Sequence, residues 1–427
     1  MTKIKYYAPL ALALCGTLNA ADNPHGYRAT NQIIAALYGE PRFEKPWLGS
    51  IDVTAGAGAT CQARNEFGNK TCLLNIYGLH NMHLLGSGVP NKDETSPEDI
   101  ALTNLALVPD RCDFGKLLYN GRFSIVEANF TVTQNLVRGF YFLAHIPVRH
   151  LKIKNIGYCD ASPNDAIYPD ASTPAWQTFL NQFPAILQKY NLSTAPISHR
   201  GVGDLTVYAG WTYNYQESLV LDYIDTSFQF GALFPTGSLK NESLVFDQPL
   251  GYGGHWGIPF EFEAACGTFD WLTIGVHAGA IAFLKKSYCL HMKTDINQNG
   301  FIKLAQGNAC VHKGILWNGG LYWKADHICR GFSALAGYSF VQQNADWVVP
   351  STSNCITFNE AIVNSDQAFQ KWNMSTVHFV IDWDFTREHM RCGPRIGAFY
   401  NLQVAGKRTY NTSVGGGTFG LDIAWQF

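Results

Sequence analysis

Alternating polarity recurs along this chain in stretches of about ten residues. In 205–215 the odd positions are apolar or aromatic and most even positions are small or polar, and 224–234 repeats the pattern with the parity reversed. Successive side chains of a β-strand point to opposite faces, so each stretch predicts a strand with one apolar and one polar face. This pattern is typical of barrels that cross an outer membrane, with apolar side chains toward lipid and polar ones toward the lumen.

Twelve such stretches can be counted. They begin near Trp47, Asn120, Val137, Leu205, Ile224, Trp256, Trp271, Gly314, Gly331, Met374, Gly393 and Ser413. An even count agrees with single-chain bacterial barrels. A further extended run, 71–79, would make thirteen strands, and we place it inside the first loop. The sequence therefore predicts an all-β fold, a transmembrane antiparallel β-barrel of about 12 strands, with a large soluble β-protein as the alternative.

The connections between these stretches alternate in length, as expected for short periplasmic turns and long outer loops. Short connections fall at 133–136, 216–219, 267–270, 325–330 and 386–391, and long ones at 61–119, 154–200, 236–255, 285–313 and 343–373. A sixth outer connection, 406–412, is short and fits the rule less well. This order places both termini in the periplasm. In a soluble β-sandwich no membrane would impose this alternation of short and long connections.

The N-terminus has the layout of a secretory signal peptide. Lys3 and Lys5 precede an apolar stretch, 6–18, and the small residue Ala20 follows it. Cys15 offers a lipoprotein site as an alternative, but the residue before it is a leucine, where lipid modification favours a small side chain. We expect cleavage after Ala20. This divides the chain into a signal peptide (1–20), a periplasmic N-terminal segment (21–44) and the barrel (45–427).

Composition agrees with a membrane barrel. After the leader, no segment approaches the roughly 20 consecutive apolar residues that a membrane helix needs, and only closed barrels cross a membrane as strands. Aromatic residues make up 14% of the chain and charged residues 15%, and there are 40 glycines. The formal net charge is −2, which becomes −4 when Lys3 and Lys5 leave with the leader. The basic residues form no long run, so nucleic acid is not expected as a partner.

The chain ends on a strand of regular alternation. In 418–427 every odd position is apolar, and the last residue is aromatic. This resembles the C-terminal strand by which the bacterial barrel-assembly machinery recognises its clients. The resemblance implies that Trp425 and Phe427 form an assembly signal and that this machinery is a partner. We expect an outer-membrane location in a Gram-negative-type bacterium, with outer-membrane lipid around the barrel.

Two segments in the middle of the chain resemble a family of outer-membrane transporters. GVGDLTVYAGWTYNY (201–215) and FQFGALFPTGSL (228–239) are similar to the paired strands of the transporters associated with aromatic-compound degradation. In that family a Gly-Asp opens one strand and a Pro-Thr-Gly ends its partner; the matching residues here are Gly203, Asp204, Pro235, Thr236 and Gly237. The resemblance implies a barrel and, for its substrates, aromatic compounds. From the residues alone, Gly237 can take a positive φ and Pro235 can end strand pairing, so turn chemistry is the alternative to substrate contact.

Ten cysteines remain after the signal peptide is removed, and none of them forms a Cys-x-x-Cys pair. An even number in an oxidising compartment predicts disulfides rather than metal sites. Seven cysteines belong to outer loops or strand ends and three to periplasmic turns: Cys61, Cys72, Cys112, Cys159, Cys289, Cys310 and Cys355, and Cys266, Cys329 and Cys392. Because both numbers are odd, pairing within each side would leave cysteines for crosslinks to neighbours. In architecture the chain also resembles the cysteine-rich chlamydial-type major outer-membrane proteins. A homo-oligomer would be compatible with the sequence, which does not demand one.

Charged residues on the polar faces of the strands are the candidate pore-lining residues. Eight are acids and three are bases: Asp52, Glu127, Asp225, Glu261, Glu263, Asp382, Asp384 and Asp422, and Arg149, Lys324 and Arg395. If the apolar faces meet lipid, these side chains line the lumen, and the excess of acids predicts a preference for cations. The alternative is that they are solvated or paired across strands and only keep the lumen wet.

Catalytic and metal chemistry are not expected. Glu261 and Glu263, like Asp382 and Asp384, lie two residues apart on a strand and point the same way at about 6.5–7 Å, with no nucleophile motif beside them. Three histidines share the lumen parity without metal-type spacing: His145, His277 and His378. We therefore expect no enzyme activity, no cofactor and no metal.

An amphipathic helix is predicted within the second outer loop. Its apolar residues recur at helical spacing, although Pro184 would kink or interrupt it. The residues are Trp176, Phe179, Leu180, Phe183, Ile186, Leu187 and Tyr190. Such a helix could fold into the pore as a constriction or pack on the rim of the barrel.

The leading functional hypothesis is a passive, weakly cation-preferring pore or transporter for small solutes. A 12-strand barrel is wider than the filled eight-strand type and narrower than porins of 16 to 18 strands. Two alternatives stay open. One is a disulfide-crosslinked structural protein of the envelope, and the other is a surface adhesin that acts through its outer loops.

Overall fold

Twelve strands pair edge to edge into one closed antiparallel sheet. In chain order they are β1 Leu48–Thr60, β2 Lys116–Asn135, β3 Phe140–Asp160, β4 Leu205–Tyr215, β5 Tyr223–Phe234, β6 Gly257–Phe269, β7 Leu272–Phe283, β8 Leu316–Cys329, β9 Phe332–Gln343, β10 Trp372–Asp384, β11 Cys392–Lys407 and β12 Val414–Ala424. Each strand pairs with the next, and β12 pairs with β1 from Ala424 opposite Leu48 to Val414 opposite Gly58. The predicted 12-strand antiparallel barrel is confirmed.

The computed structural model describes residues 48–89, 92–93, 95–107, 115–162, 174–216, 221–269, 271–329, 331–354, 356–385 and 392–424. The predicted signal peptide, the N-terminal segment 21–44, and Trp425 and Phe427 of the predicted assembly signal lie outside these residues. They stay predictions.

Short and long connections alternate around the barrel as predicted. The outer connections are loops 1 to 6, at 61–115, 161–204, 235–256, 284–315, 344–371 and 408–413; the first five are long, and the sixth is as short as a periplasmic turn. Part of the extended run 71–79 belongs to a short loop strand, Lys70–Cys72, which pairs with the loop strand Gln62–Arg64 and not with the barrel. The run therefore adds no thirteenth strand to the barrel.

The outer loops carry further short elements. There are three α-helices, α1 Pro97–Leu107, α2 Pro174–Lys189 and α3 Glu360–Asn364, and a 3-10 helix, Leu73–Asn75, within the described residues. The remaining loop strands are His80–Asn81, Ile197–Val202, Lys286–His291, Gln306–His312, Trp347–Pro350 and Thr409–Tyr410. The amphipathic helix predicted in loop 2 is confirmed as α2, which runs through Pro184 without interruption. None of the described helices has the length and apolar character to cross a bilayer.

The two faces of the barrel differ in polarity as the alternation predicted. The outward face exposes large apolar side chains, among them Ile51, Val126, Phe130, Phe142, Trp211, Phe230, Phe260, Val276, Trp323, Phe379, Ile396 and Phe419. The charged residues of the same strands, such as Asp52 and Asp422, lie on the opposite face and are largely buried. A closed sheet has no unpaired edge, so its backbone is satisfied in hydrocarbon. A closed barrel with an apolar outer belt is the form in which a chain crosses the outer membrane, and this protein is an outer-membrane barrel.

Candidate functional site

The outer loops fold over the outer end of the barrel and share one hydrophobic core with it. Inward-facing residues of β2 and β3, including Phe123, Ile125, Leu151 and Ile153, contact this core. Loops 1 to 4 supply most of the rest: Leu73, Leu74, Ile76, Met82, Leu85, Leu102, Leu105, Trp176, Phe179, Phe183, Ile186, Val245, Phe246, Leu250, Phe301, Ile302 and Leu304. We call this assembly of loops the outer cap. Burial of one large apolar side chain contributes about 1.5–3 kcal/mol, so many together hold the cap firmly.

Polar contacts also tie the loops of the outer cap to one another. Lys189 in loop 2 donates to Asp99 in loop 1 across 2.8 Å, and the Tyr190 hydroxyl donates to the same carboxylate across 2.8 Å. Lys303 in loop 4 forms a buried ion pair with Asp366 in loop 5. Together, the lysine and the tyrosine hold the pKa of Asp99 below its usual range against the opposing effect of burial. The loops are therefore joined by charged bonds as well as by apolar contact.

A buried histidine lies among the aromatic residues of the outer cap. His80 packs against Tyr119, Phe246 and Phe301, with ring centroids at 4.7, 6.3 and 5.8 Å. Both ring nitrogens are buried and form no hydrogen bond within the described residues. Burial, with a smaller effect from the charge of Lys303, lowers the pKa of His80 to about 3. The imidazole is therefore neutral at ordinary pH and serves as a packing residue.

This burial predicts that the outer cap loosens in acid. An unfolded histidine titrates near pH 6.5, whereas folded His80 does so near 3. Between these values the unfolded loop binds a proton that the folded loop does not, so stability is lost as the pH falls from about 6.5 toward 3. Hydrogen exchange of loops 1 and 4 should quicken over that window, and His80→Phe should weaken the dependence. The exposed His312 is the control: His312→Phe should leave the dependence unchanged, and equal profiles for both variants would contradict the assignment to His80.

Ion pairs connect several of the predicted pore-lining residues. Arg395 on β11 donates to Asp52 on β1 across 2.8 Å and to Asp422 on β12 across 3.3 Å. Arg149 on β3 lies 3.4 Å from Glu127 on β2. The first set of ion pairs joins β11 to β12 and to β1, and the second joins β3 to β2. They cancel part of the charge that a count of acids suggests.

A hydrogen-bonded network of tyrosines and glutamates spans β3 to β8. The Tyr208 hydroxyl donates to Glu261 across 3.3 Å, and the Gln229 amide donates to the other oxygen of the same carboxylate across 3.1 Å. Tyr141 in turn donates to Gln229 across 3.1 Å, and Tyr322 donates to Glu263 across 2.7 Å. Neutral donors therefore hold Glu261. We call these six side chains the tyrosine–glutamate network.

Two glycines give the tyrosine rings of this network their room. A Cβ added to Gly210 would lie 2.2 Å from the Tyr141 ring, and one added to Gly275 would lie 2.2 Å from the Tyr322 ring. Each ring lies flat across a neighbouring strand where no side chain is present. Glycine at these two positions is thus required by packing.

An apolar stripe runs down the inside of the barrel from the outer cap. Val414, Phe399, Val380 and Leu335, on β12, β11, β10 and β9, belong to the same buried core as the loops. A Cβ added to Gly56 would lie 2.7 Å from the Phe399 ring, so this glycine leaves space for the stripe beside β1. The interior therefore combines an apolar stripe with the polar groups that lie beside it.

The predicted site residues do not gather in a single cluster. Asp225 accepts a bond from Asn214 across 2.5 Å, and Lys324 lies 3.4 Å from Asp326. Asp382 and Asp384 lie on β10, outside the strands β3 to β8 that the tyrosine–glutamate network spans. Pore lining stays a prediction for the whole set. The sequence inventory of charged residues missed Tyr141, Tyr208, Gln229 and Tyr322, although Tyr208 does stand at lumen parity within its strand.

Four of the five family-motif residues meet around one buried carboxylate. Asp204, which is fully buried, accepts backbone N–H groups from Gly237 across 2.8 Å and from Tyr252 across 2.6 Å. The Thr236 hydroxyl donates to the Gly203 carbonyl and accepts from the Leu205 N–H, both across 2.9 Å. The fifth residue, Pro235, follows the last residue of β5. In this geometry the motif fastens loop 3 to the start of β4.

The described cysteines form no disulfide among themselves. Cys61, Cys72, Cys159, Cys266, Cys289 and Cys310 are all free thiols, which corrects the prediction for these six. Cys289 and Cys310 show one physical reason: Cys310 pairs with Ser287, so the two cysteines are diagonal neighbours on antiparallel strands. Diagonal neighbours are about 7–8 Å apart, beyond the usual Cα separation of a disulfide. Crosslinks to neighbouring molecules stay a prediction.

Comparison with known proteins gives structural likeness only. No protein-family model matches the sequence, and no curated protein matches it significantly. The fold is similar to an outer membrane channel from Pseudomonas putida F1, with a TM-score of 0.49 and 9% identity over 91% of this chain and 98% of that one. It is also similar to the Pseudomonas putida toluene transporter TodX, with a TM-score of 0.31 and 9% identity over 95% and 96% of the chains. A third similar structure, the translocator domain of the autotransporter NalP from Neisseria meningitidis, has a TM-score of 0.31 and 8% identity over 89% and 88%.

At these values the similarities assign no solute and no activity to this chain. The likeness to chlamydial-type major outer-membrane proteins stays a prediction.

Proposed function

We propose that this protein is a passive outer-membrane channel for small solutes, with a weak preference for cations. The observation that carries the proposal is the interior tyrosine–glutamate network, in which Glu261 is held by the neutral donors Tyr208 and Gln229 and, among the residues that the structure describes, by no basic side chain. A carboxylate held in this way attracts cations to a lumen of limited width. Arg395 and Arg149 are engaged by other acids and do not offset it.

The polar groups and the apolar stripe of the interior together suit solutes of mixed character. Within the tyrosine–glutamate network the tyrosines are buried, while Glu261 and Glu263 are partly exposed and offer carboxyl groups. The apolar stripe through Phe399 and Val380 adds a dry surface. Ligand sites in proteins are mostly apolar surfaces with a few placed polar groups. Small solutes that combine an apolar body with a polar or cationic group fit this lumen best. The outer cap limits how many can enter at once.

Reconstitution into planar bilayers with a salt gradient tests the proposal. We expect discrete conductance steps and a reversal potential on the cation side. The double variant Glu261→Gln with Glu263→Gln should move the reversal potential toward zero, because it replaces two interior carboxyl groups with neutral amides of the same size. Glu98→Gln, on helix α1 of the outer cap, is the control and should leave the potential near that of the unmodified protein. Absence of any conductance would end the channel proposal, and an anion-side potential would end the cation preference.

A further inference from the structure

Five basic residues form one patch on the outward face of three neighbouring strands. Arg122 on β2 pairs with Lys154 on β3, and His150 on β3 pairs with Arg200 on the loop strand Ile197–Val202, so the members of each pair point to the same side. Lys152 lies between Lys154 and His150 on that face of β3. Within the described residues none of the five forms an ion pair. We call them the basic patch.

The basic patch lies just beyond the apolar belt. A strand tilted by about 40° rises about 2.5 Å per residue across the membrane, and the apolar belt of such barrels is about 25 Å tall. His150 is ten residues from Phe140, the inner end of β3, which places it about 25 Å up, at the outer edge of the belt. Below it on the same face are exposed Val148 and Phe142. The basic residues therefore stand at the level of the lipid headgroups of the outer leaflet.

A groove adjoins the basic patch on the outer wall of the barrel. Its floor is made of small residues, Ala55 and Ala57 on β1 and Gly415 on β12, and Val126 and Val148 line its sides. The groove has a volume of about 880 Å³, and its lining is mainly apolar. His150 and Arg200 of the basic patch also line it. The apolar groove thus ends at two basic side chains, those of His150 and Arg200.

The far side of the barrel has a different surface at the same height. There several outward residues at or near the outer ends of the strands are aromatic or aliphatic, as at Trp256 beside β6, Trp317 on β8 and Leu402 on β11, and Lys407 at the end of β11 has no second cation opposite it, since it pairs with Asn373. Like charges placed directly opposite each other on paired strands repel. The outward positions of 122–126, 148–154 and 198–202, all of them described, carry no acid that would relieve this repulsion. Because the cluster of basic residues without a nearby acid occurs on one side of the barrel, it indicates an anionic partner from the membrane.

We propose that the basic patch and the groove bind a phosphorylated glycolipid of the outer leaflet, with its phosphates on the cations and an acyl chain along the alanine and glycine floor. Arginine and lysine both pair well with phosphate, and clusters of such residues beside a membrane recognise anionic lipid headgroups. A chain of methylene groups fills a groove floored by small side chains. This role is independent of solute passage through the lumen.

Native mass spectrometry of the purified barrel tests the proposal with lipid A as the probe and dephosphorylated lipid A beside it. We expect a one-to-one adduct with lipid A that survives detergent washing, and at least about tenfold weaker retention of the dephosphorylated lipid. The quadruple variant R122Q, K152Q, K154Q, R200Q should lose the adduct. Its control, K70Q, K285Q, K371Q, K407Q, removes four exposed charges elsewhere and should keep it.

A second pair of variants tests the groove with the cations intact. Ala57→Leu fills the floor and should weaken retention of lipid A, while Ala282→Leu, on the outward face of β7, should not. Equal retention of lipid A and its dephosphorylated form would overturn the proposal. So would equal retention by the two quadruple variants, or competition by inorganic phosphate alone at the concentration of the lipid. Conductance in bilayers of neutral lipid should be unchanged in all of these variants, which separates this site from the channel.

Discussion

Replacing Asp204 with alanine is expected to lower the free energy of unfolding by about 2 to 6 kcal/mol, because two backbone N–H groups lose their acceptor. Those groups belong to Gly237 and Tyr252, and Asp204 itself is fully buried. Water cannot replace the carboxylate without opening loop 3. Denaturant unfolding of the barrel in lipid vesicles, followed by tryptophan fluorescence, measures the change. Limited proteolysis should cut loop 3 of the variant first.

The conservative variant sharpens the test. In Asp204→Asn one side-chain oxygen remains to accept a single N–H, and the new NH₂ group faces the second donor, so a large part of the loss should persist. Asp222→Ala removes an exposed carboxylate in the turn between β4 and β5 and is the control, with an effect within about 0.5 kcal/mol. If Asp204→Ala kept full stability and altered only solute passage, the motif would be a substrate site and not a fastening.

The sequence predicted the barrel well because lipid imposes a period of two on every strand. The pattern of 205–215 is legible in the printed sequence, and the observed strand begins at the predicted residue, Leu205. The predicted start of β2, near Asn120, is four residues too late, since Lys116 to Tyr119 extend the strand beyond the membrane into the outer cap. There the inward residues Leu117 and Tyr119 are buried by loops and no longer face a lumen.

The outer cap was not predictable because its contacts join residues far apart in the chain. His80 meets Phe246 and Phe301 through three different segments, and no local periodicity marks any of them. The helix α2 was predictable, since its apolar residues recur at helical spacing. Its position was not predictable, because the sequence is compatible both with a constriction inside the pore and with packing on the rim of the barrel. The structure puts its apolar face in the core that covers the outer end of the barrel.

The number of acidic residues on the polar faces of the strands did not predict how each acid is paired, for a physical reason. Parity assigns a face to each acid but says nothing about its partner. Asp52 and Asp422 are far apart in sequence and share Arg395 because β12 closes onto β1. Among the described residues Glu261 has no basic partner, and it is held by Tyr208 and Gln229, which a list of charged residues leaves out. Selectivity should therefore depend more on Glu261 than on Asp52.

Trp176→Ala should open the outer cap and raise the conductance of single channels several-fold. Trp176 is fully buried in α2, stacks on Phe179 at 5.4 Å between ring centroids, and donates to Asp160 across 2.6 Å. Truncation of a buried tryptophan costs about 3–5 kcal/mol, through lost burial and the cavity left behind. That loss falls on the cap, because the strand pairing of the barrel does not involve α2. Planar-bilayer recording should show longer and larger openings.

Two companion variants separate opening of the outer cap from general damage. Thr178→Ala changes an exposed residue of the same helix and should leave conductance unchanged. Trp176→Phe keeps an aromatic ring against Phe179 and should fall between the two alanine variants. Proteolysis of loop 2 reports whether the cap has loosened. If loop 2 of Trp176→Ala becomes sensitive to protease while conductance stays the same, the cap does not control entry, and solutes must reach the lumen by a path that avoids α2.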